Sequence, residues 1–489
     1  MKRLVSILVL SLSLPSVALD LPQPTPVGTT APTRSTGFQE KEALLDAWIT
    51  AQMAGQGLPG MSVGLVHDGQ LVWAKGYGYS DTEKKTPASP ATIYRMASVT
   101  KTFTATAIMQ LRDAGKLGLD DPVSKYLPWF KVSSRFSDAP AITLRHLLTH
   151  TSGLPREAAF PYWTDNAFPT LEEIKATLPG QEAIFPTETR WKYSNLGFAL
   201  AGEVIAAVSG EPYEHYIRTH ILEPLGMASS SMALPEAQLS RLATGYGQRQ
   251  PNGSRVTRPF TDCRGITPAA NLSSTVEDLA KYLAFQMSDG TVGGKVILKA
   301  STLKEMHRVQ WIQQDWQSGW GLGFSVTHLG GKAYVGHIGI LSGYRTAISF
   351  LPDEKAGVIV LSNADDGQPS FYLRQVFALL GGTLKAAPVQ APVPQVDQAW
   401  VRFTGRYCNF WGESDVRILD GNLVLVDPEA DEPLNGMIRL IPDGKDRFRV
   451  PVPDRLSYDS IGEAVTFENG PDGEVVRMKY GANYSQKVK

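Results

Sequence analysis

Apolar residues recur in short runs towards both ends of the chain, and these runs predict strands. The first two are Met61–Val66 and Gln70–Gly76, and the Asp68-Gly69 pair between them is typical of a tight hairpin turn. A second group fills residues 319–363, where glycines and the Pro352-Asp353 pair divide the apolar runs. Strands so far apart in sequence predict one antiparallel sheet built from both ends of the chain.

Helical periodicity fills most of the remaining chain. One helix is predicted to begin near Lys41, and a second to run from about Ser98 to Ala114 and to end at Gly115. Helical and loop segments then occupy residues 140–290. The predicted fold class is therefore α+β: an antiparallel sheet flanked by helices, with a helical subdomain inserted between its strands.

The N-terminal pattern differs from that of a globular core. Basic Lys2 and Arg3 precede an apolar run, Leu4–Leu14, and the small residues Ser16–Ala18. This order predicts a signal peptide over residues 1–18 and an exported protein, periplasmic or secreted. The run is too short to span a bilayer comfortably, so we expect no membrane span after signal cleavage.

Proline content and strand pattern divide the rest of the chain. Residues 19–40 form a Pro/Thr-rich tail, and residues 386–397 form a Pro-rich linker. Between them, residues 41–385 hold the predicted sheet and helices. After the linker, short strands separated by Gly and Asp turns predict a small β-barrel-like module over residues 398–489.

Charge, cysteine content and histidine spacing narrow the possible functions. The 489 residues carry a formal net charge of −1, so we expect no nucleic-acid partner. Cys263 and Cys408 are too few for a disulfide scaffold, and a single bridge or two free thiols both stay open. His146 and His150 could share a helical face, but no acidic or cysteine cluster accompanies them. We interpret them as structural and expect neither a metal nor another cofactor.

The first chemical signal is Ser98-Val99-Thr100-Lys101 at the start of the second predicted helix. Residues three apart share a helical face, so the Lys101 amine can reach the Ser98 hydroxyl. A serine hydroxyl is a poor nucleophile until an adjacent base takes its proton. The helix N-terminus also supplies backbone N–H groups and a positive dipole end. Taken alone, this short pattern is also typical of a surface Ser and Lys.

Two further signals lie far along the chain. Tyr193-Ser194-Asn195 precedes another predicted helix, where a tyrosine can relay a proton and Asn195 can hold a substrate amide or the lysine. The same tripeptide would also suit a simple helix cap. Gly336-His337-Ile338-Gly339 lies on a predicted strand. There, Gly339 permits close approach, and the Ile340 N–H could form an oxyanion hole with that of Ser98.

Together the three motifs, in this order and spacing, resemble those of the serine β-lactamase and penicillin-binding-protein family. The resemblance is greatest to its class C-like branch, which also holds esterases, D-aminopeptidases and DD-peptidases. It covers roughly residues 41–380, and further matches include His150-Thr151-Ser152-Gly153-Leu154 and Gly319–Gly323. The C-terminal module resembles small β-barrel appendages of some members. Covering of the active-site mouth, dimerisation and binding of a wall polymer are open roles for it.

The resemblance implies a catalytic mechanism with named residues. Ser98 would attack a carbonyl, and Lys101 and Tyr193 would share the proton transfers, with the choice of general base left open. Asn195 would orient Lys101 or the substrate. The implied partner is a small molecule or peptide with an acyl group, cell-wall peptides among the candidates.

Two departures from the family pattern bear on the substrate and on the loop that enters Tyr193. His337 stands where class C β-lactamases carry a lysine, and a histidine near neutral pH is mostly uncharged. Pro186-Thr187-Glu188 stands where relatives often have Pro-Gly. Because of the histidine at position 337, we favour a β-lactamase-related esterase or D-amino-acid peptidase. A true class C-like β-lactamase and a non-catalytic penicillin-recognising or cell-wall-binding protein are the alternatives. An α/β-hydrolase is disfavoured, because the G-x-S-x-G pentapeptide at Gly60–Gly64 lies in a predicted strand that leads into a hairpin turn, whereas that class needs it on a strand-to-helix elbow.

Overall fold

The computed structural model describes residues 25–26, 36–384, 397–410, 412–434, 436–451 and 462–488. The predicted signal peptide, most of the predicted N-terminal tail and all but the last residue of the predicted linker lie outside these described residues.

The α-helices of the described residues, in chain order, are α1 (Thr36–Gln56), α2 (Thr100–Asp113), α3 (Val123–Tyr126), α4 (Leu144–Thr149), α5 (Tyr162–Asp165), α6 (Leu171–Thr177), α7 (Asn195–Ser209), α8 (Tyr213–Ile217), α9 (Thr267–Ala270), α10 (Val276–Gln286), α11 (Ala300–His307) and α12 (Pro369–Leu379).

The strands that precede residue 385 are β1 (Thr25–Pro26), β2 (Gly60–His67), β3 (Gln70–Asp81), β4 (Thr86–Pro87), β5 (Tyr94–Arg95), β6 (Gly245–Tyr246), β7 (Thr257–Arg258), β8 (Ser273–Ser274), β9 (Thr291–Val292), β10 (Lys295–Val296), β11 (Trp311–Ile312), β12 (Ser318–Trp320), β13 (Ser325–Leu329), β14 (Lys332–Leu341), β15 (Tyr344–Leu351) and β16 (Ala356–Ser362). Those after it are β17 (Gly405–Asn409), β18 (Gly412–Leu419), β19 (Asn422–Val426), β20 (Ile438–Arg439), β21 (Ile441–Pro442), β22 (Arg447–Arg449), β23 (Ala464–Asn469), β24 (Val475–Tyr480) and β25 (Asn483–Lys487).

One antiparallel sheet organises the larger part of the molecule. Its strand order is β1-β3-β2-β16-β15-β14-β13-β12-β11, with β4 beside β3. Strand β16 pairs with β2 from Ala356 opposite His67 to Ser362 opposite Met61, and this pairing joins the two ends of the chain. Both strands are almost continuously apolar and buried, as expected for strands covered on both faces. The α+β prediction is confirmed.

Helices cover the two faces of this sheet unequally. On one face, α2, α7 and α10 pack into a large core that also contains Val335, Leu341 and Ile348 of the sheet. On the other face, α1 and α12 pack against Val358 and Val360. The segment between β5 and β11 contains ten of the twelve described α-helices, α2 to α11, and belongs to the first face, which carries the residues of the predicted site.

The C-terminal strands form a second antiparallel sheet, in the order β20-β19-β18-β17-β25-β24-β23-β22-β21. Because β20 and β21 are consecutive in the chain but lie at opposite ends of this order, the sheet curls back on itself into a barrel-like module. Leu419, Val424 and Val426 of the module share a core with α1 and α12, and Trp48 of α1 donates from Nε1 to the Ala430 carbonyl at 2.9 Å. The module therefore packs on the sheet face opposite Ser98.

Candidate active site

Ser98 lies in a sharp turn, not in the first turn of the α-helix predicted for it. Residues Ala97–Val99 form a 3₁₀ turn that leads from β5 into α2. Ala97 has a φ of 48°, a left-handed conformation that is strained for a residue with a Cβ atom. Thr100 holds the turn through a 2.6 Å hydrogen bond from Oγ1 to the Ala97 carbonyl. The turn leaves Ser98 half-buried between α2 and β14.

Lys101 is fully buried beneath Ser98. Its Nζ lies 3.1 Å from Ser98 Oγ, 2.7 Å from Asn195 Oδ1 and 2.9 Å from the Ala269 carbonyl oxygen. Burial is the main cause that holds the pKa of Lys101 well below its ordinary value, and the charge of Glu157 opposes it. A buried amine with a lowered pKa carries the lone pair that proton abstraction requires.

Tyr193 completes the cluster around the Ser98 hydroxyl. Its ring centroid is 4.7 Å from Lys101 Nζ, and its hydroxyl interacts with the Ser98 side chain. Burial raises the pKa of Tyr193 above its ordinary value, although the interaction with the Ser98 side chain and the charge of Arg156 oppose the rise. The Tyr193 phenol is therefore protonated near neutral pH, whereas the lowered pKa of Lys101 favours the neutral form of its amine.

The His150 ring packs against the Tyr193 ring. The two ring centroids are 4.3 Å apart, and the Ser194 N–H donates to His150 Nδ1 at 3.1 Å. Because Nδ1 accepts, the neutral ring carries its proton on Nε2. Burial, followed by the charge of Lys101, holds the pKa of His150 well below its ordinary value. The prediction that this histidine is structural thus fits a packing role beside Tyr193.

The segment that carries Tyr193 is tied to the loop after α4. Ser194 caps α7 by accepting from the Gly197 N–H at 2.9 Å, and its hydroxyl donates to the Pro155 carbonyl at 2.7 Å. The Asn195 N–H donates to the Arg156 carbonyl at 2.7 Å. The helix cap at Ser194 and the predicted contact between Asn195 and Lys101 are therefore both present.

The loop that enters this segment is anchored without the usual glycine. Glu188 has a φ of 64°, in the left-handed region that glycine normally occupies. Its N–H donates to the Thr151 carbonyl at 2.8 Å. The Pro186-Thr187-Glu188 departure therefore changes the residue but leaves the entry to Tyr193 attached to the loop after α4.

His337 faces the same side of the sheet as Ser98 and is buried. Its Nδ1 lies 2.6 Å from the Ile338 carbonyl, which can only accept, so Nδ1 carries the proton. The other ring nitrogen, Nε2, has no hydrogen-bond partner among the described residues. Burial and then the charge of Lys101 lower the pKa of His337 to about 3. At neutral pH the His337 ring therefore offers a hydrogen-bond acceptor at Nε2 and carries no positive charge.

Strand β14 offers an open edge beside Ser98. Among the described strands, β13 pairs with β14 only from Lys332 to Gly336, whereas β15 pairs with it as far as Leu341. One edge of the backbone over residues 337–341 is therefore free of a strand partner in the described sheet. The Ile340 side chain is 53% exposed on the other face, so this residue can contribute to the Ser98 side only through its backbone.

Gly339 sets the distance between this strand and the Ser98 turn. A Cβ atom at this position would lie 2.1 Å from the Met96 carbonyl oxygen and 2.2 Å from Thr346 Oγ1. We expect Gly339→Ala to displace β14, to cost about 1–3 kcal/mol of unfolding free energy, and to slow the reaction of Ser98 with a fluorophosphonate by roughly 100-fold. Thermal unfolding and labelling rates measure the two effects.

Gly180→Ala is the matched control for that substitution. A Cβ at Gly180 would meet no atom within 4 Å, so stability and labelling should stay at wild-type values. A Gly339→Ala protein with an unchanged labelling rate would contradict the spacing role of Gly339.

Aromatic rings line one side of the cluster. Trp191 and Trp320 stack at a centroid distance of 5.3 Å, and Trp320 lies 5.0 Å from His150 and 5.5 Å from His337. Tyr193 lies beside them, with its centroid 6.1 Å from that of Trp320. This wall gives the site an apolar side next to its polar centre.

Sequence reasoning missed three groups at this site. Glu157, the Ala269 carbonyl and the aromatic wall all contact or surround the predicted residues. Glu157 and Ala269 belong to no motif, and Trp320 lies within the Gly319–Gly323 match but had no predicted role. The one available signal for Glu157 was its position shortly after the His150–Leu154 motif, and that position did not indicate its contact with Asn195. The Ala269 carbonyl had none, because a backbone acceptor leaves no trace in the side-chain pattern.

The remaining histidine and cysteine predictions are resolved by local geometry. Helix α4 ends at Thr149, and His150 adopts the left-handed conformation of a C-cap, so it does not share a helical face with His146. Cys263 is buried and Cys408 is exposed, and both are free thiols. Within the described ranges, no group of three or more His, Cys, Asp or Glu side chains could hold a metal ion. In the same ranges no helix is long and apolar enough to cross a membrane.

Comparison with known proteins gives consistent similarities. The family model described as Beta-lactamase matches residues 45–382. Beta-lactamase-like protein 2 of Dictyostelium discoideum is 32% identical over 366 residues, which are 73% of this chain and 65% of that protein. Protein flp of Staphylococcus aureus strain MW2 is 30% identical over 329 residues, 66% of this chain and 63% of that protein. The chain thus spans slightly less than two thirds of these curated relatives.

A solved structure extends the similarity beyond the family model. The octameric penicillin-binding protein homologue from Pyrococcus abyssi is 29% identical, with a TM-score of 0.62. The match covers 91% of this chain and 99% of that chain. Coverage this high includes the C-terminal β module as well as the residues matched by the family model.

Proposed function

The chain belongs to the beta-lactamase family, whose members are generally hydrolases of penicillin-binding-protein-like fold, and from this premise we propose that it hydrolyses an ester or amide through an acyl-enzyme on Ser98. The favoured activity is that of a β-lactamase-related esterase or D-amino-acid peptidase. The observation that carries the proposal is the contact of a fully buried lysine amine, 3.1 Å away, with a serine hydroxyl in a strained turn.

Lys101 is the general base in this proposal. A neutral lysine amine has two hydrogens and one lone pair, and the Asn195 and Ala269 oxygens accept the two hydrogens. The lone pair is then left for the hydroxyl hydrogen of Ser98. Tyr193 is less suited to be the base, because burial raises the pKa of its hydroxyl. As a protonated phenol it can instead donate to the leaving group.

The reaction proceeds in two steps that balance atom by atom. Lys101 takes the Ser98 proton while the serine oxygen bonds to the substrate carbonyl carbon, whose oxygen becomes an oxyanion. The leaving group departs with a proton delivered through Tyr193, and the proton on Lys101 replaces it. Water then attacks the acyl-enzyme by the reverse proton route and releases the acid. The backbone N–H groups of Ser98 and Ile340 are the proposed oxyanion donors.

The state of His337 supports an ester or peptide substrate over a β-lactam. A fixed positive charge opposite a substrate carboxylate favours carboxylate-bearing substrates, and His337 has a pKa lowered to about 3. Its unpartnered Nε2 is an acceptor, which suits a substrate N–H or O–H group. The aromatic wall of Trp191 and Trp320 suits an apolar acyl group.

Side-by-side turnover of three substrates tests the proposal. We expect the wild-type chain to hydrolyse p-nitrophenyl esters or D-Ala peptides with a kcat/KM well above that for nitrocefin. Nitrocefin turnover above that of the other two would favour the class C-like β-lactamase. Absence of turnover and of covalent adduct with all three would favour the non-catalytic penicillin-recognising or cell-wall-binding protein.

His337→Lys tests the charge argument in the same assay. The new ammonium should raise kcat/KM for nitrocefin about tenfold relative to His337→Gln, the effect of roughly 1.4 kcal/mol of added attraction to the substrate carboxylate. For p-nitrophenyl acetate, which has no carboxylate, kcat/KM of His337→Lys should not exceed that of His337→Gln. Unchanged or lower nitrocefin turnover in His337→Lys would show that charge at this position does not limit β-lactam hydrolysis.

A further inference from the structure

We propose that Glu157 is a positioning residue that orients the Asn195 amide and thereby directs the lone pair of Lys101 at Ser98. This inference rests on the proposed function. Glu157 lies in the loop after α4, outside every motif of the sequence, and it has no direct contact with the Ser98 hydroxyl in the hydrogen bonds of the site.

The geometry of the Asn195 amide depends on this carboxylate. Asn195 Nδ2 donates to Glu157 Oε1 at 2.8 Å and lies 3.1 Å from Oε2. Carboxylate oxygens can only accept, so the amide nitrogen has to face Glu157. The amide oxygen then has to face the opposite way, where Lys101 Nζ lies 2.7 Å from it.

The orientation of the amide decides what the lysine lone pair can do. With Oδ1 facing Lys101, the amide accepts one amine hydrogen, the Ala269 carbonyl accepts the other, and the lone pair is free to point at Ser98. If the amide were rotated by 180°, its N–H would donate to the lysine lone pair instead. Asn195 would then compete with Ser98 for the base.

Glu157 is itself held in place. Its side chain is only 20% exposed, Tyr162 donates a hydrogen bond from its hydroxyl to Oε2, and Arg156 Nε donates to Oε1 at 3.0 Å. A carboxylate fixed by three neighbours on a half-buried loop cannot rotate away from Asn195 without breaking all of these bonds.

The charges that face Lys101 make the proposal measurable. Beyond burial, the pKa of Lys101 is raised by Glu157, lowered by Arg156 and raised by Cys263, a thiol whose own pKa burial raises to about 11. The other titratable groups around the amine are Tyr193, His150 and His337, and the pKa shifts of all three favour their neutral forms. The adjacent Arg156 and Glu157 therefore act on Lys101 with opposite signs.

The experiment measures the rate of Ser98 labelling by a fluorophosphonate as a function of pH. Labelling requires neutral Lys101, so the rate rises with pH through the pKa of this residue. We call this rise of the rate with pH the acid limb. Glu157→Gln removes an anion that stabilises the ammonium form of Lys101, so the acid limb should move to lower pH. Arg156→Gln removes a cation that destabilises the ammonium form of Lys101, so the acid limb should move to higher pH.

The plateau rate reports positioning separately from charge. We expect a fall of about tenfold in Glu157→Gln, which keeps one acceptor for the amide, and a larger fall in Glu157→Leu, which keeps none. Arg190→Gln is the matched control. It removes an exposed arginine from a nearby loop, where the guanidinium lies over Phe185 at 5.3 Å, and it should change neither limb nor plateau.

Three outcomes separate this inference from the proposed function. Wild-type protein that is not labelled at any pH overturns both. Wild-type labelling with the expected pH dependence, and plateau rates in Glu157→Gln and Glu157→Leu equal to that of the wild type, overturns the inference alone. A lower plateau with a proportionate loss of thermal stability and no limb shift would assign Glu157 a merely structural role, which also overturns it.

Discussion

Ser98→Ala is expected to abolish acyl-enzyme formation and to lower ester turnover by roughly 10⁴-fold or more. Ser98 is the hydroxyl that contacts the Lys101 amine, at 3.1 Å. Without it the base has no proton to remove, and only binding and the oxyanion donors remain. Intact-mass measurement after fluorophosphonate treatment, together with p-nitrophenyl ester turnover, measures the loss.

The fold of this variant should be preserved. Ala removes one hydroxyl from a turn that Thr100 holds independently through its bond to the Ala97 carbonyl, and one lost hydrogen bond costs about 1 kcal/mol. Ser342→Ala, in the turn between β14 and β15, is the matched control and should label normally. A fluorophosphonate adduct that persists in Ser98→Ala would place the nucleophile elsewhere.

Contacts between near neighbours in the chain were the most predictable part of the site. The three-residue spacing of Ser98 and Lys101 predicted that their polar atoms meet, and they do so at 3.1 Å. The spacing works in a 3₁₀ turn as well as in an α-helix, because both bring residues i and i+3 to one side. The contact was therefore predicted correctly, although the element around Ser98 was predicted as α-helix.

Contacts across the chain were predictable only through a motif. Asn195 lies 94 residues from Lys101, and the Tyr193-Ser194-Asn195 motif and the family resemblance predicted their contact, with a substrate amide as the alternative partner of Asn195. Glu157 belongs to no such motif, so local patterns gave no reason to place it at Asn195. The cause is physical: a tertiary contact depends on how whole helices pack, whereas periodicity reports only which face of each helix is apolar.

The C-terminal module shows the same limit at the scale of a domain. Short strands with Gly and Asp turns predicted a β module, and the structure confirms the module as a curled antiparallel sheet. Where the module docks was not predictable, because Leu419, Val424 and Val426 look like any inward-facing strand residues. They join the core of α1 and α12 instead. Packing on that face offers no support for the role of covering the Ser98 site.

Lys101→Met is the second substitution with a very large expected effect. Methionine has nearly the length of lysine and no lone pair to accept a proton, so it fills the buried position while removing the base. General bases typically contribute 10²–10⁴-fold to a rate, and we expect labelling of Ser98 to fall by about 10³-fold. Lys116→Met removes an exposed lysine just beyond the end of α2 and should leave the rate unchanged.

Lys101→Arg tests whether Lys101 acts as a general base or only as a positive charge. Arginine carries a permanent positive charge and offers donors for Asn195 and Ala269, but it cannot be deprotonated in a protein. If Lys101 acts as a neutral base, Lys101→Arg should be as inactive as Lys101→Met, with thermal unfolding confirming that both are folded. Recovery of a substantial rate in the arginine variant would mean that the cation itself polarises the site. Proton removal would then fall to Tyr193, against the rise in its pKa that burial produces.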